Sequence, residues 1–255
     1  MKALVLAAGR GVRLGPETDD HNKCMLPLFG KPLVHYSLVN AVRAGVEEIV
    51  VVVGYRAETI INAFGTDFEG VRVQYVIQED PRGLVHAIEC AQATIAGSDF
   101  MLFLADEILW QPHHADMLKR FEEEKLFAIC GVVHEPHKSE IRKTYALIQD
   151  DRDRRVYRLI EKPRRPPDHV RGTGNCIFRS DIFDYVPLTP INQSREEKEL
   201  PDLIQCAIDD GHVVKSFDVA DGYVNINTPD DISIAEATHA ATLGSAVKGP
   251  GTKPA

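Results

Sequence analysis

Lys2 to Pro27 reads KALVLAAGRGVRLGPETDDHNKCMLP. Lys2 to Ala8 is almost continuously apolar, as expected of a central parallel strand covered on both faces. Gly9 and Gly11 follow it at once, and two fixed cations, Arg13 and Lys23, come next. A glycine loop with free backbone N–H groups, joined to Arg and Lys, suits a triphosphate, which needs both donors and counter-charge. The same residues also suit a tight turn with surface charges, and spacing alone does not choose between the two. The loop fits neither GxGxxG nor GxxxxGK[ST], so it is not a standard dinucleotide or P-loop site.

Outward from this stretch the chain alternates. Leu33, Tyr36, Val39 and Val42 fall at helical spacing and stop at Gly45. EEIVVVVG is a second buried strand ending at Gly54, residues 57–64 a short helix, Val71 to Ile77 a strand, and Leu84 to Ala96 a helix. Phe100 to Ala105 is a third strongly apolar strand that runs into Asp106-Glu107. Strand, helix and strand in turn predict an α/β fold, a Rossmann-like three-layer mixed sheet, mostly parallel and flanked by helices. Ligands of such sheets sit at the carboxyl ends of strands, which selects the glycine loop and Asp106.

The second half is more mixed. His113 to Lys125 reads as helix; Leu126–Val133, Thr144–Asp150, Arg155–Pro163 and Gly172–Ser180 read as strands that invite hairpins and sheet extensions. A helix is expected over Glu196–Asp210, strands at Val213–Val219 and Tyr223–Ile226, and a last helix from Pro229 to about Leu243. Residues 1–243 form one domain in this reading, and the Gly/Pro/Lys-rich residues 244–255 a disordered tail.

The chain has 29 Lys and Arg against 38 Asp and Glu, a net charge of −9, which argues against a general binder of nucleic-acid backbones. Five cysteines are an odd count without a CxxC pair, unlike a disulfide framework or a zinc ribbon, and read as free thiols of a reducing compartment. Gly9-Arg10-Gly11 cuts the N-terminal apolar run far below the roughly 20 residues of a membrane span, so a cytoplasmic protein without a membrane partner is expected. A nicotinamide enzyme would carry GxGxxG and an acid after the second strand, where Gly54-Tyr55-Arg56 stands instead. The histidines show no HExxH spacing.

Leu6 to Pro27 resembles the signature of the sugar-1-phosphate nucleotidyltransferases, LAAGxGxRLxPxTxxxPKxxLP, with Asn22 as the noticeable departure. Further landmarks follow in the family's order up to about residue 240. QEDPRGLVHA from Gln78 is similar to Q-x-x-x-x-GLAxA, LADE to the L-G-D-N turn, IEKP to EKP, GTGNCIFRSDIF to G-x-Y-x-F, and EKELPDLIQ to the E-x-T-D helix. The resemblance implies nucleotide binding by Leu6, Ala8, Gly9, Gly11, Gln78, Pro81 and Gly83. Arg13 and Lys23 would neutralise the β- and γ-phosphates, and Asp106 would hold Mg²⁺. Glu161, Lys162, Gly172 and Asn175 would bind the acceptor, Lys162 through its phosphate.

Near the end the family has W-x-D-x-G-T-P, and this chain has Tyr223-Val224-Asn225-Ile226-Asn227-Thr228-Pro229. Asn225 takes the place of the second metal ligand, with Asp218 and Asp221 as substitutes. The implied activity is transfer of a nucleotidyl group from an NTP, dTTP or UTP favoured, to a sugar 1-phosphate, releasing pyrophosphate. Alternatives within the resemblance are a cyclitol phosphate, phosphocholine or phosphonate acceptor, or a non-catalytic nucleotide sensor. The partners are then an NTP and a small phosphorylated acceptor, with a homo-oligomer expected by analogy.

Overall fold

The computed structural model describes residues 1–9, 11 and 22–247. The first apolar run forms β1 (Lys2–Ala7), flanked in parallel by β2 (Glu48–Val53) and, on its other side, by β4 (Phe100–Leu104). β3 (Val71–Ile77) lies parallel beyond β2. Leu4 thus faces Val50 on one side and Leu102 on the other.

These strands read as unbroken apolar runs because both faces are covered. Leu4, Val50, Val52, Phe100 and Leu102 point into one core, under helices α3 (Leu84–Cys90) and α5 (Leu200–Asp209). Ala3, Val5, Ile49, Val51, Met101 and Phe103 point into the other, with α1 (Leu33–Ala44), α2 (Ala57–Phe64) and α4 (His114–Glu123). The expected three layers, helix, sheet and helix, result.

The antiparallel part explains where the site is. β9 (Val170–Phe178) pairs with β4 only through Cys176–Phe178, and with β6 (Ala128–His134) along both its halves. Its N-terminal half outlasts β4. There Gly172 faces Tyr145 of β7 (Tyr145–Gln149), whose partner is β8 (Val156–Glu161). The β7–β8 hairpin therefore rises beyond the carboxyl end of β4 as a wall. A second ribbon, β5 (Glu107–Pro112) with β11 (Ala220–Asn225), leaves the sheet directly after Asp106. β10 (Val214–Asp218) runs parallel to β6 at the far edge.

Some expectations change. The helix expected over Glu196–Asp210 begins only at Leu200, because Pro201 fits a first turn but would remove a hydrogen bond further inside. The residues before it, Glu197–Lys198, pair instead with Ile191–Asn192. The helix from Leu84 is two pieces, broken at Ala91. The last helix, α6 (Pro229–Val247), runs past Leu243 into the segment read as tail, and residues 248–255 lie outside the described ones. Strand β5 was not foreseen at all.

Candidate active site

Strand order places the candidate residues along one edge, with the ends of β3, β2, β1 and β4 in sequence, followed by β9, β7 and β8. At the β3–β2–β1 end lies a cavity of about 290 Å³ lined by Ala8, Gly54, Tyr55, Ile77, Gln78, Glu79 and Pro81. Ala8, Gln78 and Pro81 of the expected nucleotide set meet here. Gly54 is required, since a Cβ there would stand 2.9 Å from the Ala8 carbonyl oxygen. Gln78 is buried; its amide nitrogen donates to the Gly83 carbonyl (3.2 Å) and lies 2.9 Å from Nδ1 of His86, a residue the sequence reading left unassigned. Gly83, at φ +91°, begins α3 with the Glu197 side chain against it. Leu6 does not line this cavity; it sits back on β1 against the core.

At the centre, the residue that departs from the family signature has a definite task. Asn22 is fully buried; its amide donates to the Ala7 carbonyl (3.2 Å) and the Tyr55 carbonyl (2.7 Å), while its Oδ1 accepts from Cys24 N–H (2.8 Å). It ties the start of the segment that carries Lys23 to the ends of β1 and β2. The next side chain, Lys23, is thereby held with its ammonium donating to Asp106 Oδ2 (2.5 Å) and Asn227 Oδ1 (3.0 Å). Asn227 in turn donates to Asn225 Oδ1 (2.5 Å). Gly11, at φ +71°, packs on the Lys23 stem, where a Cβ would come within 2.6 Å of the Lys23 Cβ. Burial pushes the neighbouring Cys24 thiol up to about 12, so it stays an inert neutral group. Arg13 lies outside the described residues.

One carboxylate, Asp106, and one amide oxygen, Asn225, begin the adjoining ends of this turn and ribbon, and Ile226 N–H donates to the Asp106 carbonyl (2.8 Å). Among the described residues no three His, Cys, Asp or Glu side chains group as a metal site. The donor set nevertheless fits Mg²⁺, which is held by one or two protein oxygens when phosphates and water complete its shell. The Lys23 ammonium already gives Asp106 a cationic partner. Asp218 and Asp221 do not line the larger cavity with Asn225: Asp218 pairs with Arg154 (2.9 Å) and Asp221 lies 3.2 Å from His113.

Beyond β4 a larger cavity of about 890 Å³ opens between the hairpin wall, the ribbon and α6, with Glu161, Lys162, Gly172, Tyr223, Asn225 and Asn227 among its lining. Lys162 adopts φ +43°, its N–H donating to the Thr144 carbonyl (2.7 Å). Glu161 lies 3.3 Å from both the Lys162 ammonium and the Arg195 guanidinium. Burial, with the Glu199 charge adding, pushes the Glu161 carboxyl up to about 7. Arg195 was missed because it precedes the expected helix in a charge-rich run; it lines neither cavity and reaches the site through Glu161, being also paired with Glu197 and Glu199. Arg164 and Arg165 stay exposed and line neither cavity.

Gly172 leaves room for the Tyr145 ring, which a Cβ would meet at 2.1 Å. Asn175 is placed differently from expectation. It is buried behind the cavity, its amide donating to Glu107 Oε2 (2.7 Å) and its Oδ1 lying 2.8 Å from His114 Nε2. Glu107, also unforeseen, accepts from Gly174 N–H (2.9 Å), Asn175 and the Tyr223 hydroxyl (2.6 Å). It ties the turn bearing Asp106 to β9 and β11, and burial pushes its carboxyl up to about 7.

The profile of the nucleotidyl transferase family matches residues 2–240. The chain belongs to the nucleotidyl transferase family. Among its relatives, UTP--glucose-1-phosphate uridylyltransferase AglF of Haloferax volcanii is 34% identical over 237 residues, 92% of this chain and 95% of that one. Glucose-1-phosphate thymidylyltransferase of Streptomyces griseus is 31% identical over 225 residues, 88% of this chain but 61% of that longer protein. In fold, the chain is similar to a UDP-glucose pyrophosphorylase complexed with UDP-glucose (TM-score 0.85, 22% identity, 94% of this chain and 98% of that one). A UTP-bound UGPase from Acinetobacter baumannii gives TM-score 0.77 at 21% identity, over 93% and 92% of the two chains. Family membership and fold thus agree with the sequence signature. No helix among the described residues is long and apolar enough to cross a membrane.

Proposed function

We propose that this nucleotidyl transferase joins UTP or dTTP to a sugar 1-phosphate, giving a nucleoside diphosphate sugar and pyrophosphate. The observation that carries the reading is the position of Lys23. The segment that carries it is tied at Tyr55, on the rim of the smaller cavity, while its ammonium bonds Asn227, on the rim of the larger one. A triphosphate with its base in the smaller cavity and an acceptor in the larger would meet beside Lys23 and Asp106. The names of the relatives support a pyrimidine donor.

The reaction is attack of an acceptor phosphate oxygen on the α-phosphorus, with the bond to the pyrophosphate oxygen breaking. The nucleophile needs no general base, because a phosphate monoester with a second pKa near 6 is already largely dianionic. Catalysis then reduces to alignment and charge neutralisation. Lys23, with Arg13, would take the charge developing on the leaving pyrophosphate. Lys162 would hold the acceptor phosphate and Glu161, held by Arg195, the sugar hydroxyls. Gln78 would read the base edge. Mg²⁺ held by Asp106 and Asn225 would supply further charge neutralisation at the triphosphate.

The test is pyrophosphate release with Mg²⁺, each NTP including dTTP, and a panel of sugar and alcohol phosphates. Release that needs both UTP or dTTP and a sugar 1-phosphate, and that falls by about 10²–10³ in Lys23→Met and Asp106→Asn, is the expected result. Wild-type rates in both variants would sink the assignment.

A further inference from the structure

We infer that His86 is a positioning residue for base choice: it fixes the Gln78 side-chain amide with its oxygen toward the nucleobase, so that the donor site takes uracil or thymine and turns cytosine away. The inference rests on the reading above and adds the group that decides between pyrimidines. Gln78 is held from both ends. Its backbone N–H donates to the Val53 carbonyl at the end of β2 (2.8 Å), and its amide nitrogen reaches two groups at the start of α3, the Gly83 carbonyl (3.2 Å) and His86 Nδ1 (2.9 Å). A primary amide has two N–H donors, and these two acceptors use both. Oε1 accepts no hydrogen bond among the described residues, and Gln78 lines the smaller cavity, so the oxygen is what remains for an occupant.

Two observations decide against the reversed amide. The Gly83 carbonyl is fixed by the helix, since it also accepts from Ala87 N–H (3.2 Å), and a turned amide would set Oε1 against that carbonyl oxygen. Nδ1 is then the acceptor nitrogen, and Nε2 carries the ring proton, facing the Cys90 sulfur at 3.6 Å. Arg82 competes for the same ring: its Nη2 lies 2.6 Å from Nε2, and a neutral imidazole has one lone pair to give. Were Arg82 to take it, Nδ1–H would have to donate to Gln78 Oε1, and the amide would turn. Arg82 is exposed and can be hydrated, whereas Gln78 is buried, so an N–H left without an acceptor costs more at Gln78.

Uracil and thymine carry N3–H between two carbonyls, and cytosine carries an unprotonated N3 in the same place. An acceptor oxygen at that edge receives a hydrogen bond from the first two and meets a lone pair on the third. His86 does not line the cavity and acts through Gln78 alone. It stands where the segment Q-x-x-x-x-GLAxA has no set residue, which makes the arrangement a property of this chain's own sequence.

The experiment reads one ratio, kcat/KM for UTP over that for CTP, with Mg²⁺ and a sugar 1-phosphate that supports release; calorimetric binding of UTP and CTP is read beside it, and thermal melts check that each variant folds. The two nucleotides share ribose, triphosphate and ring size, so general damage to the site lowers both and leaves the ratio alone. We expect a preference for UTP of at least about a hundredfold in the native chain. His86→Leu should cut it at least about tenfold, with UTP losing more than CTP. His86→Gln, whose side-chain oxygen can accept from Gln78, should keep most of it. His86→Lys, which has donors only, should turn the amide and lower the ratio furthest. Arg82→Leu should leave the ratio unchanged or raise it, because the competitor for the imidazole lone pair is gone. Equal use of UTP and CTP by the native chain, a ratio unmoved in His86→Leu and His86→Lys, or a fall in Arg82→Leu overturns this inference and leaves nucleotidyl transfer standing. Absence of pyrophosphate release with every NTP and sugar phosphate overturns the proposed function itself.

Discussion

Gly9 and Gly11 sit in one loop and meet different demands. Gly9 has no described residue within 4 Å of the position a Cβ would take, whereas Gly11 combines φ +71° with the Lys23 stem at 2.6 Å. We expect Gly9→Ala to leave the unfolding midpoint nearly unchanged. Gly11→Ala should cost about 1–3 kcal/mol and depress kcat by displacing the lysine, measured by thermal melts beside pyrophosphate release. Titration offers another residue-scale test. Burial raises the Glu161 and Glu107 carboxyls from an ordinary 4.5 to about 7. The folded chain therefore binds more protons than the unfolded one between those values. Stability is fullest below pH 4.5 as far as these groups are concerned and falls toward pH 7, each with a slope of up to about 1.4 kcal/mol per pH unit. Glu161→Gln should flatten the denaturant-derived stability profile in that window. A profile as steep as the native one would show that Glu161 is not the titrating group. The glycines, Lys23 and Asp106 were legible because glycine and fixed charge after an apolar run limit what the loop can be. Glu107 was not, since nothing local marks an acid that will be buried by three partners from distant strands.

The ribbon β5–β11 and the start of α6 form the element that would surround a Mg²⁺ ion held by Asp106 and Asn225. Asn225 stands opposite Glu107 in that ribbon, and Asn227 and Thr228 donate their N–H groups to Asp231 (2.9 and 2.8 Å) in a capping box at the start of α6. Asn225→Asp adds a formal charge beside Asp106, and the Mg²⁺ concentration for half-maximal rate should fall; a rise would place Asn225 away from the ion. Thr228→Ala should cost about 1 kcal/mol in stability and also slow turnover, because the same cap orients Asn227 toward Lys23. The parallel strands β1, β2 and β4 could be read from their apolar runs, each closed within two residues by glycine or acid. The ribbon could not, because β5 is a short sequence whose strand character comes only from pairing with residues more than a hundred positions away.

For the whole molecule, the helix-sheet-helix order followed from alternation in the first half, while the placement of the hairpin wall depended on which part of β9 outlasts β4. A third small core, Leu26, Leu28, Leu33, Ile108, Ile226 and Ala235, ties the hairpin after Lys23 to the ribbon and α6. Because ligand contacts would span both cavities, UTP with Mg²⁺ at about a hundred times its Kd should add about 2.7 kcal/mol and raise Tm by roughly 5–10 °C. A Tm indifferent to UTP, dTTP and every other NTP would argue against a nucleotide site.

The division of the edge between parallel and antiparallel strands has an evolutionary consequence. The groups assigned to the donor, from Ala8 to Gly83, all precede Asp106 in the chain, and those assigned to the acceptor, from Tyr145 to Arg195, all follow it. A recombination breakpoint near Asp106 would exchange one substrate's determinants as a block and inherit the other's intact. The ties named above that cross that boundary outside the sheet itself are Lys23 with Asn227, Glu197 with Gly83, and the small core that joins Leu26, Leu28 and Leu33 to Ile108, Ile226 and Ala235. Chimeras that keep both pairs and this core matched are the shortest route by which one such gene could acquire a new sugar while retaining its nucleotide.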